Sequence, residues 1–232
     1  ATSATLTISN LVAGDAGSYN VVVSGAAPCG PVTSGNAVLV VNDAINITTQ
    51  PVLLTKCTGT SAVFSVVATG TGATYQWYKG ATALTNTGNV SGALTNTLTI
   101  NPLVVGDASS DYHVVVTGTS PCAPVTSSVV TLTVNDAVVI TTQPATTQTW
   151  CTGGTATFTV AATGTGLTYQ WRKGTTNLST GGNISGATSA TLTISNLVTG
   201  DAGSYNVVVS GAAPCGPVTS NDAALIVNTA VQ

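Results

Sequence analysis

The sequence predicts an all-β fold made of tandem β-sandwiches, and three observations lead to this prediction. Apolar and polar residues alternate with a period of two, for example from Ala156 through Phe158 to Val160, as they do in strands that bury one face. Thr and Val fill these runs, and Gly, Asn, Asp and Pro separate them at short intervals, which is typical of strands joined by turns. No helical periodicity is sustained, and the whole pattern recurs along the chain.

The repeat is clearest between the beginning and the end of the sequence. Residues 1–34 match residues 187–220 with a single difference, Ala13 against Thr199. A weaker copy lies halfway between them, where Gln-Pro at 50–51 recurs 93 residues later at 143–144. Self-similarity at a fixed period indicates a repeat architecture.

This repeat divides the 232 residues into three parts. We predict that residues 1–43 are the back half of one unit, which we call the half-unit. Residues 44–136 are predicted to form a complete unit two, and residues 137–232 a complete unit three. A length of about 100 residues is ordinary for a small domain. Because no front half accompanies residues 1–43, we expect the chain to be a slice of a longer array.

The composition excludes several classes of function. Charged residues make up 5% of the chain, the net charge is -3, and the Lys and Arg residues are only Lys56, Lys79, Arg172 and Lys173. Nucleic-acid binding requires clustered Lys and Arg that neutralise phosphates, so no nucleic-acid partner is expected. No apolar run approaches the roughly 18 residues that cross a bilayer, so no membrane span is expected in this segment.

No catalytic, cofactor-binding or metal site is predicted. His113 is the only His, and the equivalent positions in the other units are Asn20 and Asn206. We therefore interpret His113 as a solvent-facing strand residue, and a Ser-His-Asp triad cannot be assembled around it. The cysteines lack the close spacing of zinc ligands. The sequence thus predicts a protein that is not an enzyme and needs no cofactor.

Two segments of unit three resemble motifs of immunoglobulin domains. Residues 169–174, Tyr-Gln-Trp-Arg-Lys-Gly, resemble strand C with its core tryptophan. Residues 200–205, Gly-Asp-Ala-Gly-Ser-Tyr, resemble the Asp-x-Gly-x-Tyr turn into strand F, whose Tyr forms a tyrosine corner. The half-unit carries the same turn motif, and unit two carries it with one additional residue between Gly106 and Tyr112.

The whole chain is similar to the tandem immunoglobulin-like repeats of large secreted and cell-surface bacterial proteins. This resemblance implies sandwiches of about seven strands with Greek-key topology. It also implies that five aromatic residues belong to the structural cores, namely Trp77, Trp171, Tyr19, Tyr112 and Tyr205. The resemblance is specific for the fold and weak for the function, because immunoglobulin-like domains serve many roles.

The five cysteines do not occupy the positions of the usual immunoglobulin core disulfide. By the resemblance, Cys57 and Cys151 lie at the A–B turn, whereas Cys29, Cys122 and Cys215 lie in the F–G loop. In this fold the two regions are at opposite ends of the sandwich, roughly 30 Å apart along a strand. A disulfide requires Cα atoms within about 7 Å of each other, so pairing within one unit is strained.

We therefore hypothesise an inter-domain disulfide that joins the A–B turn of one unit to the F–G loop of the next. Within this chain only Cys57 and Cys215 satisfy that rule, and the other three cysteines would pair with segments outside the slice. Two alternatives stay open: pairs within units, Cys57 with Cys122 and Cys151 with Cys215, or free and inter-chain thiols. Either disulfide arrangement implies an oxidising, extracellular setting.

These features predict a structural segment of an extracellular filament or stalk, on the cell surface, that self-associates into filaments or bundles. The alternatives are an adhesive or carbohydrate-binding module with a surface or glycan ligand, and a passive spacer of a larger secreted enzyme. Trp150 is interpreted as packing at a domain end, with a platform for sugar as the rival. Residues 26–34 and 212–220 form identical F–G loops, which argues against loops that diverged to bind ligands.

Overall fold

A computed structural model describes residues 2–229, so the predicted ends of the half-unit and unit three, Ala1 and residues 230–232, lie outside the described residues. The half-unit contains a 3-10 helix, η1 (Ala13–Asp15), and the strands β1 (Gly17–Tyr19), β2 (Val22–Val23), β3 (Val32–Thr33) and β4 (Ala37–Leu39). Unit two contains β5 (Asn46–Thr49), β6 (Leu54–Cys57), β7 (Ala62–Ser65), β8 (Val67–Thr69), β9 (Thr74–Lys79), β10 (Thr82–Ala83), β11 (Val90–Ser91), β12 (Thr97–Ile100), η2 (Val105–Asp107), β13 (Ser109–Thr117), β14 (Val125–Thr126) and β15 (Val130–Asn135). Unit three contains β16 (Val139–Thr142), β17 (Thr147–Cys151), β18 (Ala156–Thr159), β19 (Ala161–Thr163), β20 (Thr168–Lys173), β21 (Thr176–Asn177), β22 (Ile184–Ser185), β23 (Thr191–Ile194), η3 (Thr199–Asp201), β24 (Gly203–Ser210), β25 (Val218–Thr219) and β26 (Ala223–Asn228).

Units two and three have the same sheet topology. In unit three, one sheet has the order β17-β26-β24-β20-β21, with β25 paired to β24, and the facing sheet has the order β18-β23-β22. The first strand, β16, pairs with β19, whereas β17 runs parallel to the last strand, β26. Unit two repeats each pairing with β5 to β15. Each unit is thus a two-sheet, all-β sandwich, as the sequence predicts.

The parallel pair determines where each unit ends. In unit two, β6 lies beside β15 so that Cys57 is opposite Asn135. In unit three, β17 lies beside β26 so that Cys151 is opposite Asn228. In each unit, the cysteine that ends the second strand therefore lies next to the asparagine at which the last strand leaves the unit.

The core of unit three lies between its two sheets and is built around aromatic rings. The Phe158 ring centroid is 6.1 Å from that of Trp171 and 5.2 Å from that of Tyr205. All three side chains are buried, and Trp171 Nε1 donates a hydrogen bond to Ser189 O at 2.9 Å. Burial of these large rings contributes much of the stability of such a core. This hydrogen bond satisfies the indole N–H, the polar group of the buried Trp171 side chain.

The core of unit two repeats this arrangement around Phe64, Trp77 and Tyr112, which are all buried. The Phe64 ring centroid is 6.1 Å from that of Trp77 and 5.1 Å from that of Tyr112. Trp77 Nε1 donates to Thr95 O at 2.9 Å. The two complete units therefore bury the same three aromatic positions in the same geometry.

Each tyrosine hydroxyl closes the turn that precedes its strand. Tyr205 donates to Asp201 O at 2.6 Å, and the Asp201 carboxylate accepts a hydrogen bond from Val198 N at 2.9 Å. Tyr112 donates to Asp107 O at 2.6 Å in unit two. Burial, and then the nearby charge of Asp107 or Asp201, raises the pKa of each of these phenols to about 12.

The additional residue of unit two is accommodated as a β-bulge. Between β13 and β15, Ser109 is opposite Leu132 but Tyr112 is opposite Val130, so three residue steps on one strand face two on the other. The matching pair in unit three, from Gly203 to Tyr205, has no such shift. The bulge lets Tyr112 keep the hydroxyl hydrogen bond of its counterpart.

The half-unit keeps the local structure of a unit but presents one side of its sheet to solvent. Strand β1 pairs with β4, and β2 pairs with β3. Tyr19 donates to Asp15 O at 2.6 Å, yet its ring is only half-buried. Tyr19 therefore holds the predicted tyrosine-corner position without the enclosed core that surrounds Tyr112 and Tyr205.

Candidate functional site: the junctions between repeats

The second junction, where unit two meets unit three, brings together residues from distant parts of the sequence. Strand β15 ends at Asn135 and β16 begins at Val139, so only a few residues connect the two sandwiches. The end of β6 therefore lies near the loop between β24 and β26 of the next unit. This loop is the F–G loop of the sequence analysis.

A disulfide joins the two units at this junction. Cys57, the last residue of β6, is bonded to Cys215 in the F–G loop, with the Cα atoms 5.6 Å apart and a sequence separation of 158 residues. Both cysteines are buried. The bond is between units, and the structure forms neither of the two within-unit pairs. Of the other cysteines, Cys29 and Cys151 are free and exposed, and Cys122 is free and half-buried.

Hydrogen bonds from both sides surround the disulfide. Asn135 Nδ2 donates to Ala213 O in the F–G loop at 3.0 Å. Ala137 N, in the connection, donates to Thr58 Oγ1 at 3.0 Å, and Thr58 N donates to Asn135 O at 2.9 Å. Each such bond contributes about 1 kcal/mol when formed. Together with the disulfide they fix both the connection and the loop against the end of unit two.

Two loops of unit three contact the short connection between the units and the strand that follows it. Asp136 N donates to Thr165 Oγ1 at 2.8 Å, and Ala212 N donates to Thr165 O at 2.7 Å. A Cβ atom at Gly211 would lie 2.8 Å from Val138 Cγ2, which is closer than real Cβ contacts. Glycine at this position therefore allows the F–G loop to approach the first strand of its own unit.

The first junction, between the half-unit and unit two, repeats this pattern without the disulfide. Asn42 Nδ2 donates to Ser120 O at 3.2 Å, as Asn135 does to Ala213. Asp43 N donates to Thr71 Oγ1 at 2.9 Å. The Sγ atom of Cys122 lies 3.7 Å from Asn42 O. Cys122 thus occupies the same place as Cys215, beside the residue at which the preceding unit ends.

The far end of unit three presents the other side of a junction. Cys151 is opposite Asn228 in the parallel pair, as Cys57 is opposite Asn135. Thr152 N donates to Asn228 O at 2.9 Å, a bond that matches the one at Thr58.

The asparagines of the junctions were not predicted as functional residues from the sequence. The segment Val-Asn-Asp-Ala occurs at 41–44 and again at 134–137, and this recurrence is the signal that could have found them. What the sequence did not reveal is that each side chain reaches across the junction to a carbonyl in the next unit's F–G loop.

The structure also places the other residues that the sequence singled out. His113 lies on β13, where its Nδ1 is 2.8 Å from Asp111 Oδ1 and its ring stacks on Tyr78 with centroids 5.2 Å apart. The prediction that Trp150 packs at a domain end stays a prediction, because the sequence contains no unit that follows unit three. Its side chain is 43% exposed on the outer strand β17, and its Nε1 donates to Gln148 Oε1 at 3.2 Å.

Within residues 2–229, His113 and Asp111 form a pair of titratable side chains. This part of the chain holds no group of three or more His, Cys, Asp or Glu side chains that could bind a metal ion. It also contains no helix with the length and apolarity needed to cross a membrane. The junctions are therefore the most distinctive clusters of side chains outside the cores.

Comparison with solved structures identifies the fold. The chain is similar to domains I67-I69 of titin (TM-score 0.59, 20% identity, covering 80% of this chain and 66% of that fragment). It is also similar to extracellular domains 3-5 of Drosophila OTK (TM-score 0.66, 22% identity, covering 94% and 73%) and to immunoglobulin domains 1-4 of Sidekick-1 (TM-score 0.63, 21% identity, covering 94% and 60%). The chain therefore spans about two thirds of the length of these solved fragments, and the predicted fold of tandem immunoglobulin-like sandwiches is confirmed.

The two complete repeats both match one family model, described as a domain of unknown function (DUF8696), over residues 47–136 and 140–229. The chain belongs to this family. No curated protein matches the sequence.

Proposed function

We propose that the chain is a non-catalytic structural segment of an extracellular filament or stalk, whose junctions are locked so that the array bears tension. The observation that carries this proposal is the second junction, where a disulfide and the hydrogen bonds donated by Asn135, Asp136 and Ala137 hold unit three on the end of unit two. An adhesive or spacer module needs its domains to be present, but it does not need consecutive domains to be covalently joined at a second point.

The disulfide also supports an extracellular location, because such bonds persist in oxidising compartments. Self-association into filaments or bundles is part of the proposal. The charged residues are 5% of the chain and the net charge is -3, so little electrostatic repulsion holds neighbouring chains apart.

The position of the disulfide determines which strands carry tension. Force applied at the two chain ends runs along the backbone to Cys57, crosses to Cys215 and continues towards the end of unit three. Residues 58–214 lie inside the closed covalent loop, and both core tryptophans, Trp77 and Trp171, are among them. The strands around the tryptophans are therefore outside the load path.

Pulling single molecules from the two ends tests this proposal. An unfolded chain extends by about 3.5 Å per residue, so the oxidised chain should reach only about a third of the contour length of the reduced chain. A variant carrying Cys57→Ser and Cys215→Ser should extend like the reduced chain under both conditions.

The control is Cys122→Ser, which removes a free thiol at the first junction and should leave the oxidised extension short. If the oxidised chain extends to the full length, the junction is not locked in solution and the load-bearing role fails. Peptide mapping of native material, without reduction, would then show which cysteines are joined instead.

A further inference from the structure

We infer that one side of unit two binds one side of unit three in a second copy of this chain, so that Arg172 of one copy contacts Tyr78 and Asp111 of the other. The two surfaces are the outer faces of the larger sheets, which turn away from the cores. This inference deepens the proposed function and rests on it, since it names the surfaces through which chains self-associate.

The two outer faces have the same backbone frame but different side chains. Tyr78 on β9 and Arg172 on β20 each follow the buried tryptophan of their unit, so the alternation of the strand turns both away from the core. Across the sheet, Tyr78 is opposite His113 of β13, and Arg172 is opposite Asn206 of β24. The equivalent position is therefore aromatic in unit two and cationic in unit three.

Unit two presents an aromatic ring with one open side and a carboxylate on the same face. The His113 ring stacks on Tyr78 with centroids 5.2 Å apart and planes 3° apart, so it covers one side of the phenol. On the other side, Tyr78 is opposite Ala83 of β10, whose methyl group is too small to cover a ring. Asp111 Oδ1 lies 2.8 Å from His113 Nδ1, and Oδ2 has no hydrogen-bond partner within residues 2–229. An open aromatic side near a carboxylate suits a guanidinium, which stacks on aromatic rings and pairs with carboxylates.

Unit three presents a cation that its own fold leaves available. The chain has four Lys and Arg residues, and two of them, Lys79 and Lys173, donate to backbone carbonyls of their own units. Arg172 Nε donates to Asn177 Oδ1 at 2.8 Å, which holds the side chain along β21. In the described part of the chain, the two terminal nitrogens of Arg172 have no hydrogen-bond partner and form no ion pair. The guanidinium is therefore oriented by its own unit and is still able to bind a carboxylate.

The distribution of charge favours contact between unlike units. A pair of unit-two faces brings two Asp111 carboxylates into one interface with no cation between them, and a pair of unit-three faces does the same with two Arg172 side chains. Only unit two against unit three brings opposite charges together. Asp222 is also on the unit-three side, but its Oδ1 already accepts a hydrogen bond from Asn206 Nδ2 at 2.9 Å.

The middle of both faces is uncharged and alike. Val115 is opposite Gln76 in unit two, and Val208 is opposite Gln170 in unit three, and all four are half-buried. The amide nitrogens of the two glutamines already donate to backbone carbonyls of their own units. Contact between the faces therefore desolvates few unpaired polar groups. Because each chain has both faces, the contact repeats from copy to copy and builds a bundle.

Charge reversals in the full chain test the inference. All variants carry Cys29→Ser, Cys122→Ser and Cys151→Ser, so that only non-covalent association is measured by sedimentation equilibrium. This parent chain should self-associate with a Kd of about 1 mM or tighter. Arg172→Asp or Asp111→Arg should each weaken the association by about tenfold or more, because each places like charges in the contact.

Mixing the two charge-reversal variants should recover the association of the parent. The mixture still contains one intact contact, in which Arg172 of the Asp111→Arg chain meets Tyr78 and Asp111 of the Arg172→Asp chain. Each variant alone lacks that contact. Recovery only in the mixture therefore shows that unit two of one copy binds unit three of another.

Two further variants serve as controls. Lys56→Asp changes the net charge by the same amount as Arg172→Asp, but Lys56 lies on the edge strand β6, so the association should stay unchanged. Arg172→Lys keeps the charge but lacks the planar group that stacks on Tyr78, so the association should weaken several-fold. A urea-unfolding curve like that of the parent shows that each variant is folded.

A parent chain that stays monomeric at about 1 mM would overturn the inference. Association of each charge-reversal variant alone, with the affinity of the parent, would overturn it too. All variants keep Cys57 and Cys215, so the force extension of a single chain still tests the load-bearing role. The lateral contact and the load-bearing role are thus decided by separate measurements.

Discussion

The half-unit and the back half of unit three have the same sequence over 34 residues but for one position, yet their apolar side chains lie in different surroundings. Leu6 is 55% exposed, whereas its counterpart Leu192 is fully buried. Val21 is exposed and its counterpart Val207 is buried. In unit three, Phe158 and Trp171 belong to the cluster that covers these positions; the described residues of the half-unit contain no such covering layer.

The local hydrogen bonds, by contrast, are the same in the two segments. Tyr19 donates to Asp15 O at 2.6 Å, and Tyr205 donates to Asp201 O at the same distance. The Asp15 carboxylate accepts from Val12 N at 2.8 Å, as that of Asp201 accepts from Val198 N. Short-range turn structure is therefore encoded within the segment, whereas burial requires a second sheet from elsewhere.

The largest expected effect comes from providing the half-unit with that second sheet. Fusing a copy of residues 137–186 in front of residue 1 should complete the sandwich, because this segment already covers residues 187–220 in unit three. Amide exchange at Val21 and Val23 should slow by about 100-fold or more, as expected when a segment joins a cooperatively folded core. Hydrogen exchange with mass spectrometry measures this, and the Ala13/Thr199 difference separates the two sets of peptides by mass.

The control for the fusion is the same segment with the position equivalent to Trp171 changed to Asp, which should give no protection. Unchanged exchange in the unmodified fusion would mean that near-identity of sequence is not enough to form the same sandwich.

A smaller effect is expected from removing matched leucines. Leu192→Ala should lower the free energy of unfolding of unit three by about 2–5 kcal/mol, since it leaves a cavity in a packed core. Leu6→Ala should change the stability by less than about 0.5 kcal/mol, as exposed substitutions do. Denaturant unfolding, with exchange protection assigned to each unit, measures both.

Thr199→Ala is the control for the leucine pair, because it makes the two 34-residue segments identical and Thr199 is exposed. It should leave unit three nearly unchanged. Equal losses from Leu6→Ala and Leu192→Ala would contradict the difference in burial.

The smallest expected effect concerns the tyrosine hydroxyls. Tyr205→Phe should destabilise unit three by about 1 kcal/mol, because it removes one hydrogen bond and leaves Asp201 O without it. The folded pKa of Tyr205 is about 12, above its ordinary value of 10.0. The stability that this phenol contributes is therefore complete below pH 10 and is lost as the pH rises from about 10 to 12.

Urea unfolding of unit three at a series of pH values measures this dependence, and Tyr205→Phe should flatten it. Tyr19→Phe is the matched change in the half-unit and should leave the alkaline loss of stability of unit three unaltered. If Tyr205→Phe does not reduce the loss of unfolding free energy between pH 10 and 12, other groups cause the alkaline unfolding.

Much of the fold could be predicted from the sequence, because its signals are local. The alternation from Ala156 to Val160 predicts a strand, and β18 lies there. The Asp-x-Gly-x-Tyr motif predicts the turn that Tyr205 closes. The sequence showed one additional residue in unit two but did not predict the β-bulge at Ser109. Strand register depends on the partner strand β15 and not on the turn motif itself.

The junction was less predictable. The sequence left three arrangements of the cysteines open, because connectivity depends on which loops approach each other in space. The structure brings Cys57 and Cys215 together across a separation of 158 residues. Trp150 lies on β17 at the outer edge of the sheet and is exposed in this chain, so its predicted packing against a following unit stays a prediction.

The sequence by itself determined the repeat, the strands and the tyrosine turns, because these depend on residues close together in the chain. Only the tertiary structure decided which copies of the same apolar residues are buried and which cysteines meet. Burial and disulfide geometry depend on long-range contacts, here the facing sheet for Leu192 and the register of the parallel pair that puts Cys57 beside Asn135. Two nearly identical segments therefore share their turns and differ in their cores.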